Sequence, residues 1–168
     1  PSRPARPLTM HEGFLEKNYT SGDGLNLYFR DYPGNGTAIL CLTGLSRNSK
    51  DFHKLALHLN NLGHRVICPD YRGRGKSQYD PDPMNYQPPA YLGDIHHLLT
   101  VLNLHEIIVI GTSLGGLLAM AMGTTIPTHL KAVILNDVGP DVDDSGLKRI
   151  ITSLSRDPRF KTWEEAIN

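Results

Sequence analysis

A serine stands at the centre of a glycine-flanked pentapeptide, Gly111-Thr112-Ser113-Leu114-Gly115, and Gly116 follows it. The apolar run 107–110 leads directly into this pentapeptide, and an almost entirely apolar helical pattern, 114–126, leaves it. A buried strand followed at once by a buried helix is the context that a nucleophile elbow requires. The pattern therefore predicts that Ser113 is a nucleophile. The alternative is a glycine-rich helix entry in which Ser113 only caps the helix.

The glycines and the helix explain why such a serine would be reactive. Glycines two residues before and after Ser113 carry no side chain, so that neighbouring backbone can pass closely. The hydroxyl then stands at the carboxyl ends of parallel strands, where ligands bind in open α/β sheets. The helix N-terminus adds partial positive charge near an oxyanion that develops on a substrate.

Short apolar runs alternate with amphipathic segments through most of the chain. Strands are predicted at 26–32, 38–42, 65–68, 107–110 and 132–135, and helices at 51–61, 91–102 and 114–126. The run 26–32 alternates and is expected to be half-exposed, whereas the other strands are expected to be buried. This alternation predicts an α/β fold with a mostly parallel sheet and helices on both faces.

Three regions follow from these patterns. Residues 1–13 lack the apolar core of a secretory signal and are predicted to be a disordered leader instead. Residues 14–140 are predicted to be the N-terminal part of the α/β core. Residues 141–168 form two amphipathic patterns without a strand between them, as expected for the start of a helical cap or lid. The chain is expected to be truncated within that lid.

Composition excludes several classes of function. The formal net charge is zero, so charge gives no basis for binding nucleic acid or an anionic membrane surface. No apolar run approaches the ~18 residues of a membrane span. Cys41 and Cys68 lie in apolar runs and are expected to be buried, reduced thiols without metal-ligand spacing. A cytoplasmic location, a small-molecule substrate and no metal or organic cofactor are expected; the oligomeric state stays open.

Three further segments match a known pattern in order and spacing. They are Leu-Thr-Gly-Leu-Ser-Arg-Asn at 42–48, Pro-Asp-Tyr-Arg-Gly-Arg-Gly-Lys-Ser at 69–77 and Leu-Asn-Asp-Val-Gly-Pro at 135–140. With the pentapeptide they make the chain resemble the α/β-hydrolase family, particularly its bacterial cap-bearing serine hydrolases. The resemblance implies an oxyanion hole formed by the backbone N–H groups of Leu45 and Leu114. Thr43 replaces the histidine most common in the family, which puts the usual side-chain support of the loop in question.

The resemblance bears on three acidic and basic residues. Asp137 follows a predicted strand and matches the position from which some family members take the acid of the catalytic triad. The alternative is that Asp137 caps the loop before Gly139-Pro140. Asp70 and Arg72 are expected to shape a loop beside the site, because an aspartate before glycine-rich sequence favours local turn hydrogen bonds.

A histidine base for Ser113 is harder to find. The chain contains eight histidines, and most precede strands or lie within helices, away from the elbow. Only His53 begins on the correct side of the sheet, and a histidine in the first turn of a helix more often faces solvent. The family supplies its histidine from a loop after the eighth strand. The chain is therefore expected to be a fragment without the triad histidine and to have at most very weak activity alone.

These expectations combine into a serine hydrolase that acts on an ester-like or other carbonyl substrate through an acyl-enzyme on Ser113. Two alternatives stay open. One is a cofactor-free haloperoxidase or acyltransferase activity on the same triad, and the other is a non-catalytic, ligand-binding member of the fold.

Overall fold

The computed structural model describes residues 10–11 and 13–139, which contain seven strands and three α-helices. The strands are β1 Met10–His11, β2 Phe14–Thr20, β3 Asn26–Tyr32, β4 Gly36–Leu42, β5 His64–Pro69, β6 Ile107–Thr112 and β7 Leu130–Asn136; the helices are α1 His53–Asn61, α2 Pro88–Val101 and α3 Leu114–Thr125. Short 3-10 helices lie at Ser49–Phe52, Pro83–Asn85 and Pro127–His129. None of the helices in this part of the chain is long and apolar enough to cross a bilayer.

The chain divides into two compact units, Pro1–Val138 and Gly139–Asn168. Apart from Gly139, the second unit lies outside the described residues, and so does the whole of the predicted cap at 141–168. Of the predicted leader, positions 1–9 and 12 are likewise outside them, whereas Met10–His11 pairs with β2.

The strands of the described region form a single sheet in the order β1-β2-β3-β5-β4-β6-β7. Strands β5, β4, β6 and β7 are parallel, and the N-terminal strands β1 to β3 add to them through antiparallel pairings. The predicted α/β fold is confirmed. Because β4, β6 and β7 run in the same direction, their carboxyl ends meet at one edge of the sheet.

Both faces of the sheet are covered by helices. Alternate residues of a strand point to opposite faces, and β4 shows this directly: Leu40 packs with α2 and α3, whereas Ile39 and Cys41 pack with α1. Cys41 and Cys68 are free and buried, as predicted.

Two predictions of strand exposure are wrong. The segment 26–32, expected to be half-exposed, is buried from Leu27 to Tyr32, because β3 lies between β2 and β5 and is covered on both faces. The segment 132–135, expected to be buried, is exposed, with Ile134 51% accessible. Strand β7 is the edge of the described sheet, and although α3 packs against it, Val133, Ile134 and Leu135 remain 38–51% accessible.

On β3, the carboxylate of Asp31 is paired with basic side chains of the two neighbouring strands. Asp31 is buried; its carboxylate accepts two hydrogen bonds from the Arg65 guanidinium, at 3.0 and 2.9 Å, and one from Lys17 Nζ at 2.7 Å. Burial alone would raise the pKa of Asp31, but these hydrogen bonds outweigh it and hold the pKa below its ordinary value.

Because the pKa of Asp31 is lowered on folding, the protein should lose stability as the pH falls into the acid range. The folded form binds the proton less readily than the unfolded chain, so the stabilisation is complete above the ordinary pKa of aspartate, about 4, and is lost as the pH falls through the lower folded value. Asp31→Asn should lower the free energy of unfolding by about 2 kcal/mol at neutral pH. In this variant the free energy of unfolding should also fall less steeply as the pH drops below about 4. Urea denaturation across a pH series measures both quantities. Asp82→Asn, at an exposed position, is the control. If Asp31→Asn lost stability in acid as steeply as the unsubstituted protein, the role given to Asp31 would be contradicted.

Candidate active site

Ser113 lies on the sharp turn between β6 and α3. Its backbone has φ 51° and ψ −116°, a conformation that costs a non-glycine residue about 1–3 kcal/mol. The turn is held by hydrogen bonds on both sides. The N–H of Ser113 donates to the carbonyl oxygen of Asn136 at 3.2 Å, and the N–H groups of Gly116 and Leu117 donate to the carbonyl oxygen of Ser113 at 2.9 and 3.1 Å. Ser113 is exposed at this strained turn, so its hydroxyl is accessible to solvent.

The flanking glycines are required because backbones cross here. A β-carbon on Gly111 would lie 2.6 Å from the nitrogen of Gly116, and one on Gly115 would lie 2.8 Å from Cβ of Leu42. In both cases a backbone carbonyl oxygen lies closer still. Backbone atoms cannot move aside as a flexible side chain can, so these positions exclude any larger residue while the turn keeps its shape.

The segment 42–48, which we call the oxyanion loop after its predicted role, lies beside Ser113. Strands β4 and β6 pair in parallel with Leu42 opposite Gly111, which brings the residues after β4 alongside the turn. A β-carbon built on Gly44 would be 3.8 Å from Cβ of Ser113. Leu114 is the first residue of α3, where a backbone N–H has no acceptor within the helix. The two predicted donors, Leu45 and Leu114, therefore belong to segments that flank the serine.

Three successive carbonyl groups hold the oxyanion loop in shape. Each accepts a hydrogen bond from a different donor: Thr43 from the Tyr71 hydroxyl at 3.1 Å, Gly44 from the N–H of Arg47 at 3.2 Å, and Leu45 from Nε of Arg74 at 2.8 Å. Two of these donors, Tyr71 and Arg74, belong to the loop after β5. The sequence motif at 69–77 marked this loop as adjacent to the site, but it did not reveal that the loop supports the oxyanion loop.

Thr43 occupies the histidine position of the family and is almost completely buried. Its side-chain Oγ1 has no hydrogen-bond partner among the described residues. A buried hydroxyl without a partner destabilises the fold because its hydration is lost without compensation.

Replacing Thr43 by valine should therefore stabilise the protein by about 1 kcal/mol, because valine has the same shape without the buried hydroxyl. Thr112→Val is the matched comparison: the Thr112 hydroxyl accepts a hydrogen bond from Nδ2 of Asn136 at 3.1 Å, so its removal should destabilise. Urea denaturation measures both changes. A loss of stability in Thr43→Val would mean that its hydroxyl has a partner.

Asp137 follows β7 directly and lies next to Ser113 at the same sheet edge. Thr112 pairs with Asn136 in the parallel register of β6 and β7, so the next residues, Ser113 and Asp137, are neighbours across the two strands. Asp137 has φ 54° and is exposed. The carboxyl edge thus carries Gly44, Ser113 and Asp137 on three adjacent strands.

Asp70 has the structural environment expected from the sequence. Its carboxylate accepts hydrogen bonds from the backbone N–H of Ser49 at 2.6 Å and of Lys76 at 2.9 Å, and its own carbonyl accepts from the Ser77 hydroxyl at 2.7 Å. A β-carbon on Gly75 would collide with this carboxylate. Asp70 therefore joins the 3-10 helix that precedes α1 to the loop after β5.

Arg72 is a buried structural hub, 3% exposed. Its guanidinium donates two hydrogen bonds to Asp94, at 2.8 and 2.6 Å, and one each to Asp23 at 2.8 Å and Asp80 at 2.6 Å. Asp23 follows β2 and Asp94 lies on α2, so two other segments are attached to the loop after β5, while Asp80 lies further along that same loop. These partners were not predicted.

His53 does not face Ser113. Its Nδ1 shares a hydrogen bond of 2.9 Å with the Tyr32 hydroxyl, and its ring packs edge-on against Phe14 with centroids 5.7 Å apart. Tyr32 pairs with Val66 near the amino end of β5, whereas Ser113 lies at the carboxyl end of the neighbouring parallel strands. These contacts turn His53 away from Ser113.

The other histidines of the described region are also remote from the elbow. His105 and His129 precede β6 and β7 at their amino ends, and their ring centroids are 6.0 Å apart. His96, on α2, has its pKa lowered by burial and by His129. His64 contacts the carbonyl oxygen of Thr37 through Nδ1 at 3.2 Å. None of the described side chains is thus placed as a base for Ser113, and no cluster of three metal-ligating side chains occurs in this region.

Comparisons with known proteins agree with this geometry. An α/β hydrolase of known crystal structure from Novosphingobium aromaticivorans superposes with a TM-score of 0.77 at 46% identity, over 82% of this chain and 49% of that chain. A 3-hydroxybutyrate-oligomer hydrolase from Cupriavidus necator is 37% identical over 135 residues, which are 80% of this chain and 46% of that protein. Epoxide hydrolase 2 from Siraitia grosvenorii is 28% identical over 71% of this chain and 38% of that protein.

The chain thus spans about half the length of the first two of these relatives, and less of the third. Residues 37–162 match the α/β hydrolase fold family, a range that contains the oxyanion loop, the serine turn and Asp137. This match covers most of the sequence, and it accords with the sheet order and the elbow, so the chain belongs to the α/β-hydrolase fold family.

Proposed function

We propose that the protein is a serine hydrolase that cleaves an ester or a related carbonyl compound through an acyl-enzyme on Ser113. One observation carries the proposal: Ser113 occupies a strained strand-to-helix turn beside Gly44, where even a β-carbon built on that glycine would lie 3.8 Å from the β-carbon of Ser113. A serine hydroxyl exposed there is accessible to a substrate, and flanking N–H groups of the loop and of α3 are suitable donors to an oxyanion.

The proposed reaction has two steps, acylation of Ser113 and hydrolysis of the acyl-enzyme. The Oγ atom of Ser113 bonds to the carbonyl carbon while its proton passes to a histidine base, and the carbonyl electrons move to oxygen, beside the N–H groups of Leu45 and Leu114. Collapse of this intermediate expels the alcohol, which takes the proton from the base. Water then attacks the acyl-enzyme in the same way and releases the carboxylic acid and free Ser113.

We assign the triad acid to Asp137 and the base to a histidine outside the described residues. The register supports Asp137, because it lies across from Ser113 on the adjacent strand. A carboxylate in this position would orient the imidazole and stabilise its protonated form. The contacts of His53 with Tyr32 and Phe14 argue against His53 as the base.

The relatives suggest a first substrate class. The Cupriavidus necator protein is named for 3-hydroxybutyrate oligomers and is 37% identical to this chain. We therefore propose short hydroxyacid oligomers joined by ester bonds as the substrates to test before other esters. The cytoplasmic location expected from the sequence stays a prediction.

A fluorophosphonate probe tests the proposed nucleophile without a choice of substrate. The complete protein should be labelled, and mass spectrometry should locate the adduct on Ser113. Ser113→Ala should remain unlabelled under the same conditions. Labelling of a different residue, or no labelling of a folded protein that hydrolyses esters, would overturn the assignment of Ser113.

The same probe examines the source of the base. If the folded 168-residue chain is labelled at Ser113 as fast as the complete protein, the base lies within these residues and His53 must be reconsidered. If the isolated chain reacts far more slowly, the result supports a histidine from elsewhere in the complete protein.

A further inference from the structure

The proposed donor at Leu45 depends on the orientation of two consecutive peptide groups. Its N–H belongs to the peptide that also carries the Gly44 carbonyl, and in a trans peptide these two groups point in opposite directions. The Gly44 carbonyl accepts from the N–H of Arg47 at 3.2 Å, so it is directed into the turn. The N–H of Leu45 must then be directed out of the turn.

The next peptide group is held from outside the loop. The Leu45 carbonyl accepts a hydrogen bond of 2.8 Å from Nε of Arg74, a residue of the loop after β5. Leu45 is 40% exposed, and among the described residues its carbonyl receives this one hydrogen bond. Among the described groups, the Arg74 guanidinium therefore fixes the peptide after Leu45 relative to the peptide before it.

We propose that Arg74 is a positioning residue of the oxyanion hole, and this proposal rests on the proposed serine hydrolase function. Through its hydrogen bond to the Leu45 carbonyl, Arg74 keeps the N–H of Leu45 aligned with the oxygen that becomes negative in the transition state. It performs the side-chain support that the family most often assigns to a histidine at position 43. Thr43 cannot replace that support, since its buried hydroxyl bonds to no described residue.

Arg74 is itself well anchored. Its N–H donates to the Tyr71 carbonyl at 2.9 Å, and Tyr71 in turn donates to the Thr43 carbonyl at 3.1 Å. The Asp70 carboxylate further fixes this loop by accepting the N–H groups of Ser49 and Lys76. These hydrogen bonds hold the backbone of Arg74 in place, and precise alignment of a backbone donor requires such a fixed support.

The chemistry of arginine suits this role better than that of lysine. Nε lies in the plane of the guanidinium and donates in a fixed direction, whereas a lysine ammonium is a point charge on a flexible stem. Arg74→Met removes the donor and keeps most of the apolar stem. Arg74→Lys keeps the charge and loses the fixed direction, and so separates alignment from simple electrostatics.

The test uses the complete protein, a p-nitrophenyl ester and a trifluoromethyl ketone, which forms a tetrahedral adduct with the nucleophile. We expect Arg74→Met to lower kcat about tenfold, less than the loss of a direct oxyanion donor, with little change in KM. Affinity for the ketone should fall by a similar factor. Arg74→Lys should recover only part of both losses, and added ethylguanidinium should partly restore Arg74→Ala.

Two controls keep the outcomes separate. Lys54→Met removes one positive charge from an exposed position of α1 and should leave kcat unchanged. If Ser113→Ala retains activity, the proposed function fails. If Ser113→Ala is inactive but Arg74→Met keeps both kcat and ketone affinity, the positioning role alone is wrong. A fall in stability without a change in ketone affinity would also overturn it, since a merely structural residue gives that result.

Discussion

Replacing Ser113 by alanine is expected to lower kcat/KM for an ester substrate by about 10⁴-fold or more, because the covalent intermediate can no longer form. Substrate binding should change much less, since the loop that carries Gly44 and Leu45 keeps its position. Steady-state kinetics of the complete protein with a p-nitrophenyl ester measure the effect. Activity within about tenfold of wild type would show that the nucleophile lies elsewhere.

Glycine at the same position is the matched control for stability. Ser113→Gly removes the hydroxyl as alanine does, but it also relieves the strain of φ 51°. We expect both variants to be equally inactive and the glycine variant to be more stable than the alanine variant by about 1 kcal/mol. Equal activities with different stabilities would demonstrate that the lost activity is chemical. If alanine were the more stable, the backbone at Ser113 would not be strained as described.

The largest effect on stability is expected at Arg72. Arg72→Met should cost about 3–5 kcal/mol, because the buried Asp94 loses both of its hydrogen bonds to the guanidinium and keeps its charge. Burial already raises the pKa of Asp94 above its ordinary value, against the opposing effect of Arg72. In the variant Asp94 should accept a proton at still higher pH, so the deficit relative to wild type should shrink as the pH falls. Urea denaturation at several pH values measures both the deficit and its trend.

An exposed pair provides the comparison for Arg72. Lys131 and Glu106 form an ion pair of 2.7 Å with side chains 52% and 61% accessible, so Lys131→Met should change stability by less than about 1 kcal/mol. Arg72→Lys should recover little, since one ammonium cannot reach three separate carboxylates as the guanidinium does. A small cost for Arg72→Met, or a deficit that grows in acid, would contradict the role of Arg72 as a buried hub.

The features that sequence predicted well are those fixed by neighbouring residues. The turn at Ser113 follows from Gly111 and Gly115 because the same few residues both form the turn and clear space for it. The burial of Cys41 and Cys68 follows from their apolar neighbours. Local spacing therefore gave the elbow and the central strands, including their order along the chain.

What could not be predicted depends on residues brought together from a distance. Arg72 contacts Asp23 and Asp94, which are 49 and 22 positions away, and nothing in a local pattern joins them. The hydrogen bond from Arg74 to Leu45 crosses 29 positions. The exposure of 132–135 was missed for a related reason: an apolar run shows what a strand can bury, not whether a neighbouring element covers it.

The position of β5 between β3 and β4 has a consequence for synthesis on the ribosome. The hairpin of β2 and β3 is made before β5, and the second edge of β3 stays open until His64–Pro69 has been made, a delay of seconds at ~5–20 residues per second. An open apolar edge invites pairing with another nascent chain, and charged residues on the strand oppose it. Asp31 can already pair with Lys17 of the hairpin at this stage, and Arg65 arrives with β5. The charge of Asp31 should thus oppose mispairing of the unfinished chain before Arg65 binds it in the finished sheet.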